Sequence, residues 1–341
     1  MDCLLQKLCS FSCPSGGEGR LREFIASEIK NYADSLYSDA LGNLFAFVKG
    51  KKTAGKKVMF IAHMDEVGFI VTGIENNGLL RFSRIGGISG SVLCGRKIEF
   101  ANGICGVIVP AVALHQLSGE KRKAVPTEEE LFIDIGAESG DEAKKYICLG
   151  DKASFAADYY ENEESVFAKA LDDRIGVYAL IKAIKKGPEY DAVFVFSVQE
   201  EVGLRGAAVA GNRIAPDIAV VIDSTTAADL PGTEGSDRVC VLGQGFAVSF
   251  MEKATVYDER LYKFIMNAAK DRKIPVQFKT RVAGGNDAGA IHKSGKGVRC
   301  AAISTPCRYI HSAMSVARKS DIKAVADIVS VLSAELQHYD I

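Results

Sequence analysis

No stretch of this 341-residue sequence approaches the roughly 20 consecutive apolar residues that a membrane-spanning helix requires. Neither sign of charge dominates. The 42 Lys and Arg residues balance 43 Asp and Glu, with no long basic or acidic block, which excludes the electrostatic footprint of a nucleic-acid or anionic-membrane partner. The nine cysteines include no Cys-x-x-Cys pair, and their odd number argues against a disulfide framework. The opening Met1-Asp2-Cys3-Leu4-Leu5-Gln6-Lys7-Leu8 has no basic leader and no cleavage-site pattern, so no secretory signal is expected. Reduced, mostly buried thiols and a cytoplasmic address follow from these two readings. The glycine cluster Gly284-Gly285-Asn286-Asp287-Ala288-Gly289 has neither GxGxxG spacing nor a Walker lysine, which removes support for a nucleotide site. Tandem repeats and low-complexity segments are absent too.

What is present reads as two textures. Leu4, Leu5 and Leu8 lie at helical spacing, and Ser15-Gly16-Gly17-Glu18 predicts a capping box that opens a helix to about residue 30. Strands are expected at 43–48 and at 57–62, the second a continuous apolar run with His63 just past its end. From about 66 to 162 the pattern changes to short β-like runs at 67–74, 79–85, 97–98, 104–109 and 131–135, punctuated by Gly and Asn. Helical pattern returns at 139–146. Beyond it helix and strand alternate: helix 173–186, strand 192–197, strand 218–222, helix 258–272, strand 297–303, helix 321–336. This predicts an α/β fold with a mostly parallel central sheet flanked by helices, formed by residues 1–65 and 163–341 and interrupted by a β-rich module at 66–162.

Acidic or imidazole groups recur where these apolar runs end: His63 with Asp65, the pair Asp172-Asp173, the pair Glu200-Glu201, Asp223, and His311. Ligands of open α/β sheets gather beyond the carboxyl ends of strands. Singly, each has an ordinary explanation. A His-x-Asp is commonly a satisfied pair, and Asp172-Asp173 suits the positive end of a helix dipole. An Asp at a strand end often begins a turn. Glu128-Glu129-Glu130 and Glu163-Glu164 show that acidic runs here are not all special. Their joint placement is what raises the functional reading. Asp172, Glu201 and Asp223 supply three carboxylates and His63 and His311 two neutral nitrogens, and two divalent cations balance that set with one charge to spare. Histidine with carboxylate suits zinc, cobalt or manganese better than calcium or magnesium. His115, His292 and His338 read as structural or surface residues, and Asp287 as a helix cap.

The segments Ala62-His63-Met64-Asp65-Glu66-Val67-Gly68, Leu171-Asp172-Asp173-Arg174, Gln199-Glu200-Glu201-Val202-Gly203-Leu204-Arg205-Gly206-Ala207, Asp223 and Arg308-Tyr309-Ile310-His311-Ser312 resemble, in order, the signatures of metallopeptidase family forty-two. These are the tetrahedral aminopeptidases, some of whose members have been labelled cellulases or endoglucanases. The resemblance implies a zinc-exopeptidase-like α/β domain with an inserted β-barrel-like dimerisation domain. It also implies two divalent ions: Asp172 bridging, His63 and Asp223 on one, Glu201 and His311 on the other. Asp65 is similar to the family's outer carboxylate that orients an imidazole, and Glu200 matches the general base. Peptide substrates and a homo-oligomer built from dimers, up to a tetrahedral dodecamer, are implied as well. The sequence departs from the family's usual pattern at Ala313-Met314-Ser315 and at Asn286. An N-acyl amino acid deacylase on the same site, a glycosidase and a non-catalytic assembly protein are the alternative readings. A glycosidase, which places two carboxylates across a sugar, has no use for the two histidines.

Overall fold

The computed structural model describes residues 3–112, 116, 118, 119 and 124–340. Strand Val58–His63 is buried at every position, because it lies in mid-sheet with helices on both faces. It pairs in parallel with Ala192–Ser197 on one side and with Ile218–Thr226 on the other, and Ile218–Thr226 pairs in parallel with Arg299–Arg308. These four strands form the parallel centre. Antiparallel strands extend both flanks: Leu44–Val48 and Ser35–Ser38 at one edge, and Ser315–Arg318, Ser165–Ala168 and Tyr160–Glu161 at the other. Phe246–Val248 and Val276–Phe278 add a branch on Arg299–Arg308.

Alternation along each central strand divides the apolar side chains between two cores. Val58, Phe60 and Ala62 join a large core with helices Gly19–Ile29, Leu171–Lys186, Glu259–Asp271 and Lys319–Glu335. Met59 and Ile61 face the other way, onto helices Arg205–Ile214 and Ala288–Ile291. Among the described residues no helix is long and apolar enough to cross a membrane.

The β texture seen in the sequence is a closed six-stranded barrel. Around it run Gly68–Ile74, Leu80–Ile85, Leu131–Asp134, Cys105–Pro110, Lys97–Phe100 and Lys152–Phe155, every neighbour antiparallel. It has its own apolar core, with Phe69 set edge-on between Phe82 and Phe155 at centroid distances of 5.4 and 5.1 Å. The barrel leaves the sheet immediately after His63 and Asp65, so the insertion begins at the chemistry. Closure consumes the strand edges.

Two local readings of the sequence are corrected here. The capping box at Ser15–Glu18 does not form: helix Gly19–Ile29 starts from a helical Glu18 with no side-chain cap. The Ser15 hydroxyl donates instead to Asp65 Oδ2 at 2.6 Å, a stronger partner because it is a buried carboxylate. The helix expected at 139–146 shrinks to Gly140–Ala143, capped by Ser139.

Candidate metal centre

The central strands end at one level. Ser197 pairs with His63, and Val221 with Ile61, so Asp223, two residues on, stands level with His63. Alternation puts His63, Ser197 and Asp223 on the face shared by Met59 and Ile61. Asp172 arrives from the start of Leu171–Lys186, where Ala170 has φ 54° and Asp172 and Asp173, joined by a cis peptide, leave helical geometry. His311 comes from the loop after Arg299–Arg308, itself at φ 57°. Gln199, just before the glutamate pair, has φ 56°. Left-handed backbone at non-glycine residues is held only where the surroundings enforce it, and Ala170, Gln199 and His311 carry it beside one site.

The structure brings all seven sequence-predicted site residues together. His63 Nε2 lies 3.3 Å from Asp172 Oδ1 and 3.7 Å from Asp223 Oδ1. His311 Nε2 lies 3.4 Å from Asp172 Oδ2 and 3.2 Å from Glu201 Oε2. The two oxygens of Asp172 therefore face two different imidazoles. His63 Nδ1 donates to the backbone oxygen of Asp65 at 3.1 Å, which leaves Nε2 as the free donor atom for a cation. The fully buried Asp65 carboxylate accepts from Glu200 N at 3.0 Å and Glu201 N at 3.2 Å, besides Ser15 Oγ.

Electrostatics follow from crowding acids out of water. Burial pushes Glu200 well above its usual range, and the Asp223 and Glu201 charges add to it against the pull of His63. Burial likewise raises Glu201, and raises Asp223 to about 7. Burial also acts on Asp172, but the His311 and His63 imidazoles outweigh it and hold this carboxyl below the usual range. Burial opposes charging of His311, yet Asp172 and Glu201 raise it to about 11. Asp65 is lowered: burial would lift it, and His63, Ser15 and the Glu200 amide overcome that. Protons and cations compete for these atoms.

The donor set fits divalent ions. Asp65, Asp172, Asp173, Asp223 and Asp287 are buried, and among the described residues none of them pairs with Lys or Arg. Buried carboxylates crowded together without a lysine or arginine among them are costly, and a bound cation lowers that cost. His63, Asp172 and Glu201 present donor atoms within 4.8 Å of one another, as do His63, Asp173 and Asp223. Asp172, Glu200, Glu201, Asp223 and His311 line a cavity of about 430 Å³. A cleft of about 510 Å³ lined by Asp217, Tyr257, His292 and Arg299 shares none of them and lacks such an acid cluster.

Several residues near the site carried other readings in the sequence. Asp287 does not cap its helix through its side chain; its Oδ2 accepts from Ser197 Oγ at 2.6 Å beneath the site, and burial raises it to about 6. Asp173 is fully buried with Oδ2 unpartnered, and a Cβ at Gly176 would stand 2.2 Å from that oxygen. Ser15 is 50 positions from Asp65, so only the fold joins them. His292 donates to Ala288 O and His338 packs on Tyr190, away from the centre; His115 lies outside the described residues.

A family model described as M42 glutamyl aminopeptidase matches residues 42–328. This chain belongs to that family. It is an aminopeptidase-family hydrolase, and the family's metallopeptidase character agrees with the His and acid cluster. Among relatives, the lysyl aminopeptidase of Pyrococcus furiosus is 33% identical over 350 residues, covering 99% of this chain and 98% of that protein. The TET aminopeptidase from a marine sediment archaeon, Thaumarchaeota archaeon SCGC AB-539-E09, superposes with a TM-score of 0.93 at 31% identity, covering 98% of this chain and 95% of that one. The Pyrococcus horikoshii TET1 peptidase, which can assemble into a tetrahedron or a large octahedral shell, is similar with a TM-score of 0.84 at 34% identity, covering 97% and 98%.

Asp65→Asn turns one acceptor of a fully buried group into a donor facing donors. It should cost about 1–3 kcal/mol in denaturant melts run with chelator, and weaken divalent-ion binding about 10–100-fold. Wild-type values in both measurements would remove Asp65 from this role.

Proposed function

We propose that this member of the family is a dinuclear metal-dependent aminopeptidase that removes N-terminal residues from peptides. The observation that carries the reading is Asp172, whose two oxygens face His63 on one side and His311 on the other. His63, Asp172 and Asp223 would hold one ion, and Asp172, Glu201 and His311 the second, with zinc or cobalt the best matches and manganese the next. When bound, such ions supply Lewis-acid polarisation of a carbonyl and acidify water.

The chain's own groups do the rest. Glu200 stands on the cavity wall beside the ligands, and among the described residues no imidazole pairs with it, which suits a proton carrier better than a ligand. Its carboxylate takes the proton of the attacking water and passes it to the departing amine. Burial raises its affinity for protons above that of an ordinary carboxylate, the direction that suits a group that must both take and return one. Asp65 fixes the backbone of both Glu200 and Glu201, so the two side chains diverge from one clamp, one toward the cavity and one toward His311.

Residues 1–65 and 163–341 form the catalytic domain in this reading, and 66–162 the dimerisation domain. The TET1 peptidase that can assemble into a tetrahedron or an octahedral shell, and a further TET1 relative solved as a dodecamer, support a homo-oligomer; in this reading it is built from dimers, with a tetrahedral dodecamer as its full form. Nine unpaired thiols, five of them buried, suit a reducing cytoplasm. Light scattering should give a particle far above the 36.6 kDa chain mass; an active monomer at every concentration and metal load would contradict the assembly.

Glu200 separates this mechanism from its rivals. Glu200→Gln should keep both ions and lose roughly 10²–10⁴-fold in rate. Glu201→Gln should instead release metal. The wild type should trim a peptide from its free N-terminus and spare the same peptide once acetylated, whereas a deacylase prefers the acylated substrate. Near-normal turnover in Glu200→Gln would overturn the base assignment.

A further inference from the structure

Glu201 and His311 enter the site from the sheet domain, yet the barrel backs both of them. The segment after barrel strand Leu80–Ile85 runs through Gly86 and Gly87. The Gly87 carbonyl oxygen lies 3.0 Å from His311 Nδ1. A carbonyl has no proton to give, so Nδ1 donates, and Nε2 is turned toward Asp172 and Glu201. Gly86, at φ +82°, lies against the other residue. A Cβ built there would stand 2.9 Å from Val67 Cγ1, 3.3 Å from Glu201 Cβ and 3.5 Å from Glu201 O. Past His311, Ala313 packs against the barrel's apolar core. Tyr309 and His311 hold left-handed φ of 60° and 57° on the stretch so pinned. His63 is arranged differently: its Nδ1 donates to Asp65 O, outside the barrel strands.

We propose that the barrel's Gly86–Gly87 turn is a positioning element for the Glu201–His311 half of the metal centre, so that the barrel governs the affinity of one ion and not of the other. The proposal rests on reading Glu201 and His311 as ligands of a common ion. Contacts that orient a metal-binding imidazole commonly change affinity by about 10–100-fold. The turn would thereby couple the inserted module to the chemistry without lending it a ligand.

The test is calorimetric titration of cobalt(II) into chelator-stripped protein, with circular dichroism to confirm folding. The wild type should bind two ions per chain. Gly86→Ala should bind one of them about 10–100-fold more weakly and the other unchanged. Gly103→Ala is the control: its φ of +87° gives similar backbone strain in the same barrel, with no atom within 4 Å of the new Cβ. It should bind both ions as the wild type does. Should Gly86→Ala fail to fold, the double variant Val67→Ala/Gly86→Ala removes the 2.9 Å collision, keeps the approach to Glu201 and carries the same expectation. Two wild-type affinities in folded Gly86→Ala or in the double variant would overturn the role of the turn, as would an equal loss in Gly103→Ala. A wild type that binds fewer than two ions would instead overturn the ligand reading beneath it.

Discussion

The site hangs on one buried carboxylate. Asp65 is fully enclosed, and its oxygens accept from the Ser15 hydroxyl and from the amides of Glu200 and Glu201, while its backbone oxygen accepts a hydrogen bond from His63 Nδ1. A hydrogen bond to a charged group contributes roughly 1.5–3 kcal/mol, so the cluster repays the desolvation of Asp65 only if all its members are present. Ser15 lies before the first sheet strand, His63 ends a central strand, and Glu200-Glu201 follow the neighbouring strand. One anion thus draws three separate chain segments into register at the sheet's end.

A second buried anion ties the barrel's root to the same place. Glu66, the next residue, accepts from Lys169 Nζ at 2.7 Å, Arg174 Nη2 at 3.2 Å and the Cys13 amide at 2.9 Å. Lys169 and Arg174 bracket Asp172, so the charge network that anchors the insertion also fixes the strand-to-helix corner from which Asp172 projects. Breaking such a buried network is expensive because a charge is left without a partner. The positive φ of Ala170, Gln199, Tyr309 and His311 is tolerated within this frame, where hydrogen bonds and charge hold the backbone in place.

The legible parts of the molecule were those governed by period and polarity. The apolar run before His63, the strand before Asp223 and five of the six barrel strands announce themselves, because burial on both faces or alternation on one demands those residues, whereas Lys152–Phe155 was not among the expected strands. Contacts made across long separations were not legible. Ser15 followed three residues later by Glu18 satisfies the local capping pattern, yet the hydroxyl finds a carboxylate 50 positions away. Asp287 has the local look of a helix cap and turns instead to Ser197, 90 positions off. Short edge strands such as Ser35–Ser38 and Tyr160–Glu161 carry little apolar signal, since they are only partly covered and owe their conformation to the neighbour they pair with.

On the proposed mechanism, Asp172 stands between two cations. Anomalous diffraction from cobalt-loaded crystals measures this directly. Two peaks per chain are expected, one among His63, Asp172 and Asp223 and the other among Asp172, Glu201 and His311. A single peak, or peaks away from Asp172, would contradict it.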